Sequence, residues 1–214
     1  NKIFLNPQSW AVLSRLPSDA QGQSAFDNVR DYLFTDMGVM SHAPASSGID
    51  IPNKSYFGLK AGVRENGGIF FHASTWAIIA EALLGRAEEA YSLYRRELPT
   101  MRNDKVEECL IEPYVYASSM IAPFHEKGGL GVGSWLSGTA SWMYVAATQY
   151  ILGIRPEYDG LVIDPQIPAA WDGFTITRKC RGRMYRIRVQ RKPAAEQGLY
   201  VNGRKLKGNT VPWD

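Results

Sequence analysis

Apolar residues recur at helical spacing over most of the first 155 positions. Trp76, Ile79, Ala80, Leu83 and Leu84 fall at i, i+3, i+4, i+7 and i+8, and Gly85 follows as a stop. Phe26, Val29, Arg30 and Leu33 share one face of a helix over 24–33, with Ser24 as its expected N-cap. A short helix over 9–16 is expected to end at Pro17, and another over 87–98 at Pro99. Ala140, Met143, Tyr144, Ala147 and Ile151 make the stripe of a last helix over 137–152, closed by Gly153. The helices come in pairs joined by long polar loops, as in a toroidal array of helix pairs or a plain bundle. Such loops carry function more often than not.

The period changes near Pro156. Residues 161–165, 174–177, 184–189 and 199–201 are short alternating runs, separated by Asp-Gly, Arg-Gly and Asn-Gly turns. Asn202-Gly203 predicts a type I′ hairpin. The expected architecture is mainly α over 1–155, followed by a small β unit over 156–214.

Composition narrows the class. An apolar share of 45% and a charged share of 21% are those of a soluble globular protein. Net charge is +3, and the late cluster of Arg alternates with Met184, Ile187 and Val189, as on a half-exposed strand. Nucleic acid is therefore not an expected partner. Cys109 and Cys180 have no metal or disulfide spacing, and no apolar run reaches transmembrane length. A cytoplasmic protein with reduced thiols, no cofactor and no membrane association is the expectation. The first residue is Asn1, and an apolar run, Ile3-Phe4-Leu5, begins almost at once. That reads as part of a longer polypeptide.

Two polar loops feed directly into helices. Arg64-Glu65-Asn66-Gly67-Gly68 leads to His72, and Trp135-Leu136-Ser137-Gly138-Thr139 opens the last helix. A hydroxyl-bearing helix start suits an oxyanion, although an ordinary N-cap has the same residues. His72 near a helix start caps or packs more often than it binds, but the glycine pair before it allows close approach of backbone to a ligand. Glu65 and Glu112 could each accept hydrogen bonds from sugar hydroxyls or be surface and structural carboxylates. Lys60 and Arg64 share a side whether the segment is turn-like or extended, and could grip a carboxylate. No P-loop, dinucleotide fingerprint, GxSxG or HExxH occurs.

Long ordered segments carry a resemblance. They are Arg64 to Phe70, Ile111-Glu112-Pro113-Tyr114-Val115, Trp135 to Trp142, Thr148 to Pro156, and Tyr158 to Leu161 through Asp172-Gly173-Phe174. The chain resembles glycoside hydrolase family 94, the inverting phosphorylases of cellobiose, chitobiose and related disaccharides. The resemblance implies the later half of an (α/α)6 barrel followed by a small C-terminal β domain of sandwich or jelly-roll type. It implies reversible phosphorolysis. Inorganic phosphate, a co-substrate rather than a cofactor, attacks the anomeric carbon with inversion while an Asp acid protonates the leaving oxygen, and α-glucose 1-phosphate results.

Carried over by position, His72, Ser137, Gly138 and Thr139 match the phosphate-binding group, with Ser137 where many members have Thr. Glu65 matches an acceptor-site carboxylate, and Arg64 stands where several members have Lys. Ser118 falls where the motif after Glu112 usually has a Gln that contacts the donor sugar. The Trp-Asn-Asp motif of the general acid does not occur in this sequence. The expected partners are therefore a disaccharide, phosphate, the N-terminal part of the barrel and a second copy in a homodimer. Lys60 with Arg64 would suit an aldonic acid acceptor. A non-catalytic carbohydrate-binding module and the phosphorylase-like region of a cyclic β-1,2-glucan synthase are the alternatives.

Overall fold

The computed structural model describes residues 2–46, 59–193 and 196–213. Strand β1 (Ile3–Phe4) runs straight into helix α1 (Leu5–Leu13). Pro7 lies inside that helix, not beyond it, because the first turn has no need of its missing N–H. The helix therefore begins earlier than the 9–16 expected. Helix α2 (Asp19–Leu33) also starts earlier, and Ser24 is not its cap. Ser18 is: its Oγ accepts from Gln21 N at 3.4 Å, and the Gln21 side chain accepts from Ser18 N at 3.0 Å.

A tight hairpin of β2 (Phe34–Thr35) and β3 (Gly38–Val39) follows, and β4 (His42–Ala43) pairs back on β1. Strand β5 (Ile69–Phe70) then enters α3 (Phe71–Leu83), the centre of the helical region. The expected one-sided stripe proves too narrow. Ala73, Ala77, Ile78, Ile79 and Ala80 are all at most 1% exposed, so α3 is enclosed on every side. Its alanines let neighbours approach closely, and it packs against α1, against α4 (Ala87–Glu97) and against α6 (Thr139–Val145). Glu81 is buried at its C-terminal end, 4.0 Å from Arg30 of α2 and 3.7 Å from Arg86.

Between α4 and α6 lie a 3-10 segment (Pro99–Lys105), the single turn α5 (Val106–Cys109), β6 (Ala117–Met120) and β7 (Gly131–Ser134). Strand β6 is the middle of an antiparallel β5-β6-β7 sheet. The sequence pattern predicts only helices and loops here. These strands are too short and too rich in Ser and Gly to show alternation. The last helix is also not uniform, since α6 widens into a π-helical segment, Ala146–Ile151.

From Ile154 onward the described elements are strands. β8 (Ile154–Pro156) and β9 (Gly160–Ile163) pair, while β10 (Gly173–Cys180) and β11 (Arg183–Gln190) form a hairpin. β12 (Tyr200–Val201) pairs with β13 (Arg204–Lys205), and β14 (Thr210–Pro212) closes on β9. The Asn202-Gly203 turn has φ of 49° and 82°, as type I′ geometry requires. Arg186 and Arg188 are exposed and alternate with half-buried Ile187 and Val189, which is the strand face foreseen from sequence. The β region meets α4 through Ala169 N, which donates to Glu88 Oε1 at 2.6 Å, and through the Tyr91 and Trp171 rings, 5.2 Å apart. Cys109 and Cys180 are free thiols. Among the described residues no helix is long and apolar enough to cross a membrane.

Candidate functional site

His72 is the second residue of α3, so the β5 strand that ends at Phe70 fixes where its side chain emerges. Its ring is set among aromatics: Trp76 one turn on at 4.9 Å, Phe70 at 6.0 Å and Trp142 at 6.3 Å between centroids. Trp76 and Trp142 meet edge to face at 6.1 Å. Burial lowers the His72 pKa and so favours the neutral imidazole. Its Nε2 is buried and makes no hydrogen bond to the described residues.

The second loop comes to the same point. A Cβ built on Gly138 would lie 2.9 Å from His72 Cε1 and 3.2 Å from Nδ1, so the imidazole lies directly over this backbone. Gly138, not Ser137, is the N-cap of α6. Ser137 still serves the helix start, because its Oγ accepts from Thr139 N at 3.0 Å. The Ser137 and Thr139 hydroxyls also bond each other. Thr139 is fully buried, so its hydroxyl backs Ser137. His72, Ser137, Gly138 and Thr139 thus form one cluster. It combines an imidazole nitrogen with hydrogen-bonding capacity to spare, a hydroxyl and the start of a helix, a set suited to an anion.

Glu112 precedes β6 and is tied to the second loop. Trp135 Nε1 donates to Glu112 Oε1 at 3.0 Å. Its own backbone N–H, then the Trp135 indole and the Ser134 hydroxyl, hold the Glu112 carboxyl below the usual range. Trp135 has φ of 64° and is 68% exposed, and its ring meets that of Tyr114 edge to face at 6.2 Å. Ser118, on β6, faces Gly133 of β7, where a Cβ would stand 3.2 Å from the Ser118 Cβ.

Lys60, Arg64 and Glu65 are exposed on consecutive turns. Val63 N donates to Lys60 O at 3.1 Å and Gly68 N to Arg64 O at 2.9 Å. Gly68 is obligatory, since a Cβ there would lie 2.6 Å from Arg64 N. The loop is held by Asn66, which sequence reasoning did not single out. Its Oδ1 accepts from Ser46 N at 2.8 Å, and its Nδ2 donates to the Ser46 and Leu59 carbonyls at 3.0 Å each. A lone Asn before Gly-Gly gives no hint of this. The His72–Trp76 pair did leave a signal, namely i, i+4 spacing on a helix.

The chain is 39% identical over 209 residues to an N,N'-diacetylchitobiose phosphorylase of Vibrio furnissii, covering 94% of this chain and 26% of that protein. It is 33% identical over 223 residues to a 3-O-beta-D-glucopyranosyl-beta-D-glucuronide phosphorylase of Paenibacillus borealis, covering 100% of the chain and 28% of that protein. A third relative, the cyclic beta-(1,2)-glucan synthase NdvB of Rhizobium meliloti, is 38% identical over 150 residues, 68% of this chain and 5% of its own length. The chain therefore spans about a quarter of the length of the phosphorylases it matches. Residues 1–153 match the model of the Glycosyl hydrolase 94 superfamily catalytic domain, and the chain belongs to that superfamily.

Proposed function

We propose that this chain is part of an inverting disaccharide phosphorylase and supplies its phosphate site. The observation that carries this reading is the packing of the His72 imidazole on Gly138. A phosphate oxygen held by His72, the Ser137 hydroxyl and the backbone of Gly138 attacks the anomeric carbon of a β-linked glucosyl unit. The C–O bond to the acceptor breaks, an acid outside these residues protonates the leaving oxygen, and α-glucose 1-phosphate forms. The anion is charged before reaction, so the site has to hold and orient it rather than deprotonate it. Thr139 braces Ser137, and the aromatic wall keeps the His72 ring in one orientation.

On this reading residues 1–155 are the later half of an (α/α)6 barrel, with α1, α3 and α6 towards its axis and α2 and α4 outside. Residues 156–214 form the adjoining β domain. The rest of the barrel supplies the general acid, so the isolated chain is inactive. Glu112 and Ser118 face the sugar, and Lys60, Arg64 and Glu65 face the acceptor. Two cations on consecutive turns of one loop suit an acceptor bearing a carboxylate. The printed name of the glucuronide phosphorylase relative is in keeping with that choice. The match to NdvB favours a second reading, the phosphorylase-like region of a glucan synthase.

The test is release of phosphate from α-glucose 1-phosphate by the full-length protein with glucose, N-acetylglucosamine, gluconate and glucuronate as acceptors. Release with any of them supports phosphorolysis, and preference for the two acids supports the role of Lys60 and Arg64. No release with any acceptor rejects the reading.

A further inference from the structure

Glu97, the last residue of α4, is fully buried, and neither carboxyl oxygen receives a hydrogen bond of sound geometry from the described residues. Ser74 stands beside it, but the Ser74 hydroxyl donates to Phe70 O at 3.3 Å and has no second proton to give. Arg102 is the nearest cation, yet its guanidinium donates to the carbonyls of Met37, Arg96, Glu97 and Leu98 and lies over the Phe71 ring at 4.9 Å. It forms no ion pair with the Glu97 carboxylate among the described residues. Gly38 leaves space for this carboxyl, since a Cβ there would lie 2.8 Å from Glu97 Oε1.

A small cavity of about 30 Å³ adjoins this group. Glu97, Arg102 and Tyr116 line it together with Glu112, the carboxylate that holds Trp135. The volume fits one or two waters, and a buried polar group without a protein donor is the usual reason for ordered water. The wall behind Glu112 therefore contains a second carboxyl, and the two line one small cavity whose other walls are largely apolar side chains, Phe71, Ile111, Val115 and Met120 among them.

We propose that Glu97 is a positioning residue: through water in this cavity its carboxyl sets the Glu112 carboxylate beneath Trp135. The proposal rests on the reading of Glu112 as a sugar-facing group. Glu97 does this as a neutral acid, which can donate one hydrogen bond and accept others. Burial, opposed by the charge of Arg102, pushes its pKa up to about 8. The titratable groups around it are Arg102 from the 3-10 segment, Tyr116 ahead of β6, Tyr94 on α4 and Cys109 on α5. Burial raises the last three, Tyr116 to about 12, so none of the three becomes charged before Glu97 does. Above its pKa, Glu97 would put a second negative charge into the wall with Glu112, and the arrangement should loosen.

The test uses the full-length protein with fluorinated tryptophan, the Trp135 signal being assigned by Trp135→Phe. Glu97→Gln keeps a neutral hydrogen-bonding group and should leave the Trp135 signal in place at pH 7. Glu97→Leu should move or broaden it. In phosphorolysis, wild-type kcat/KM should fall above pH 8, Glu97→Gln should be flat there, and Glu97→Leu should raise KM for the disaccharide several-fold at every pH. An unmoved Trp135 signal in Glu97→Leu overturns the proposal, as do equal losses with one pH profile in both variants. If wild type does no phosphorolysis but Glu97→Leu moves the Trp135 signal, the phosphorylase reading fails while the coupling stands.

Discussion

Gly138 and His72 approach so closely that no side chain fits between them: a Cβ on residue 138 would lie 2.9 Å from the His72 ring. Gly138 has φ of −80°, which an alanine also adopts, so the glycine is required by the imidazole and not by the turn. The ring cannot swing away easily, because Trp76 and Trp142 flank it. Gly138→Ala should therefore displace His72 from the helix start. The expected cost is about 1–3 kcal/mol of stability, as for an overpacked core, with a larger rise in KM for phosphate than for the disaccharide. Phosphate titrations of wild type and variant check this. An unchanged KM for phosphate would separate His72 from the anion site.

The depressed pKa of His72 makes anion binding pH-dependent. Burial favours the neutral ring in the free protein, whereas an anion bound beside the ring favours the imidazolium. Binding then takes up protons, so affinity rises as pH falls, by at most about tenfold per unit. Sulfate is the suitable probe because its own charge stays fixed while phosphate titrates. Calorimetry on the full-length protein at pH 7.5, 6.5 and 5.5 (~ values spanning the ordinary His range) should show this rise, and His72→Gln should abolish it. A slope that survives the substitution assigns the proton to another group.

Trp135→Phe separates the ring from its hydrogen bond. The aromatic face stays, but the donor to Glu112 Oε1 is lost, and with it one of the contacts holding that carboxyl below its usual range. The acidic limb of kcat/KM should move to higher pH and KM for the disaccharide should rise, with kcat less affected. A pH–rate series shows whether it does. An unmoved acidic limb would mean that Glu112 does not titrate in the sugar complex.

The sequence disclosed the helices and hairpins wherever local chemistry is sufficient. Asn202-Gly203 names its own turn, and the apolar run from Trp76 to Leu84 names α3. Starts were misplaced where two signals compete. Ser24 precedes a good apolar face, but Ser18 with Gln21 closes a reciprocal capping pair earlier in the chain. The β5-β6-β7 sheet leaves no local pattern because its short strands are held by pairing, Ile69 with Met120 and Ala117 with Ser134, rather than by their own alternation. His72 and the Ser137 loop stood out as polar groups at helix starts, yet only the fold reveals that the first lies on the second. Glu97 gave no sign at all: a Glu in the last turn of a charged helix, Ala87–Glu97, reads as solvated.

Glu81 supplies a prediction about stability. It is fully buried in α3 between Arg30 and Arg86, and burial outweighs both cations, raising its pKa to about 7. An unfolded glutamate titrates near 4.5. Between these values the native state binds more protons than the unfolded state, so the contribution of Glu81 is complete below the lower value. It is lost as pH rises through the upper one, at no more than about 1.4 kcal/mol per pH unit. Urea midpoints should therefore fall between pH 5 and 7 (about the window those two pKa values bound) in wild type and change less in Glu81→Gln. Arg86→Met removes one compensating charge, raises the Glu81 pKa further and should extend the fall to higher pH at the same limiting slope, because an unpaired buried carboxylate is costlier still. Equal slopes in all three proteins would show that the carboxylate finds enough solvation between the two arginines to stay ionised throughout.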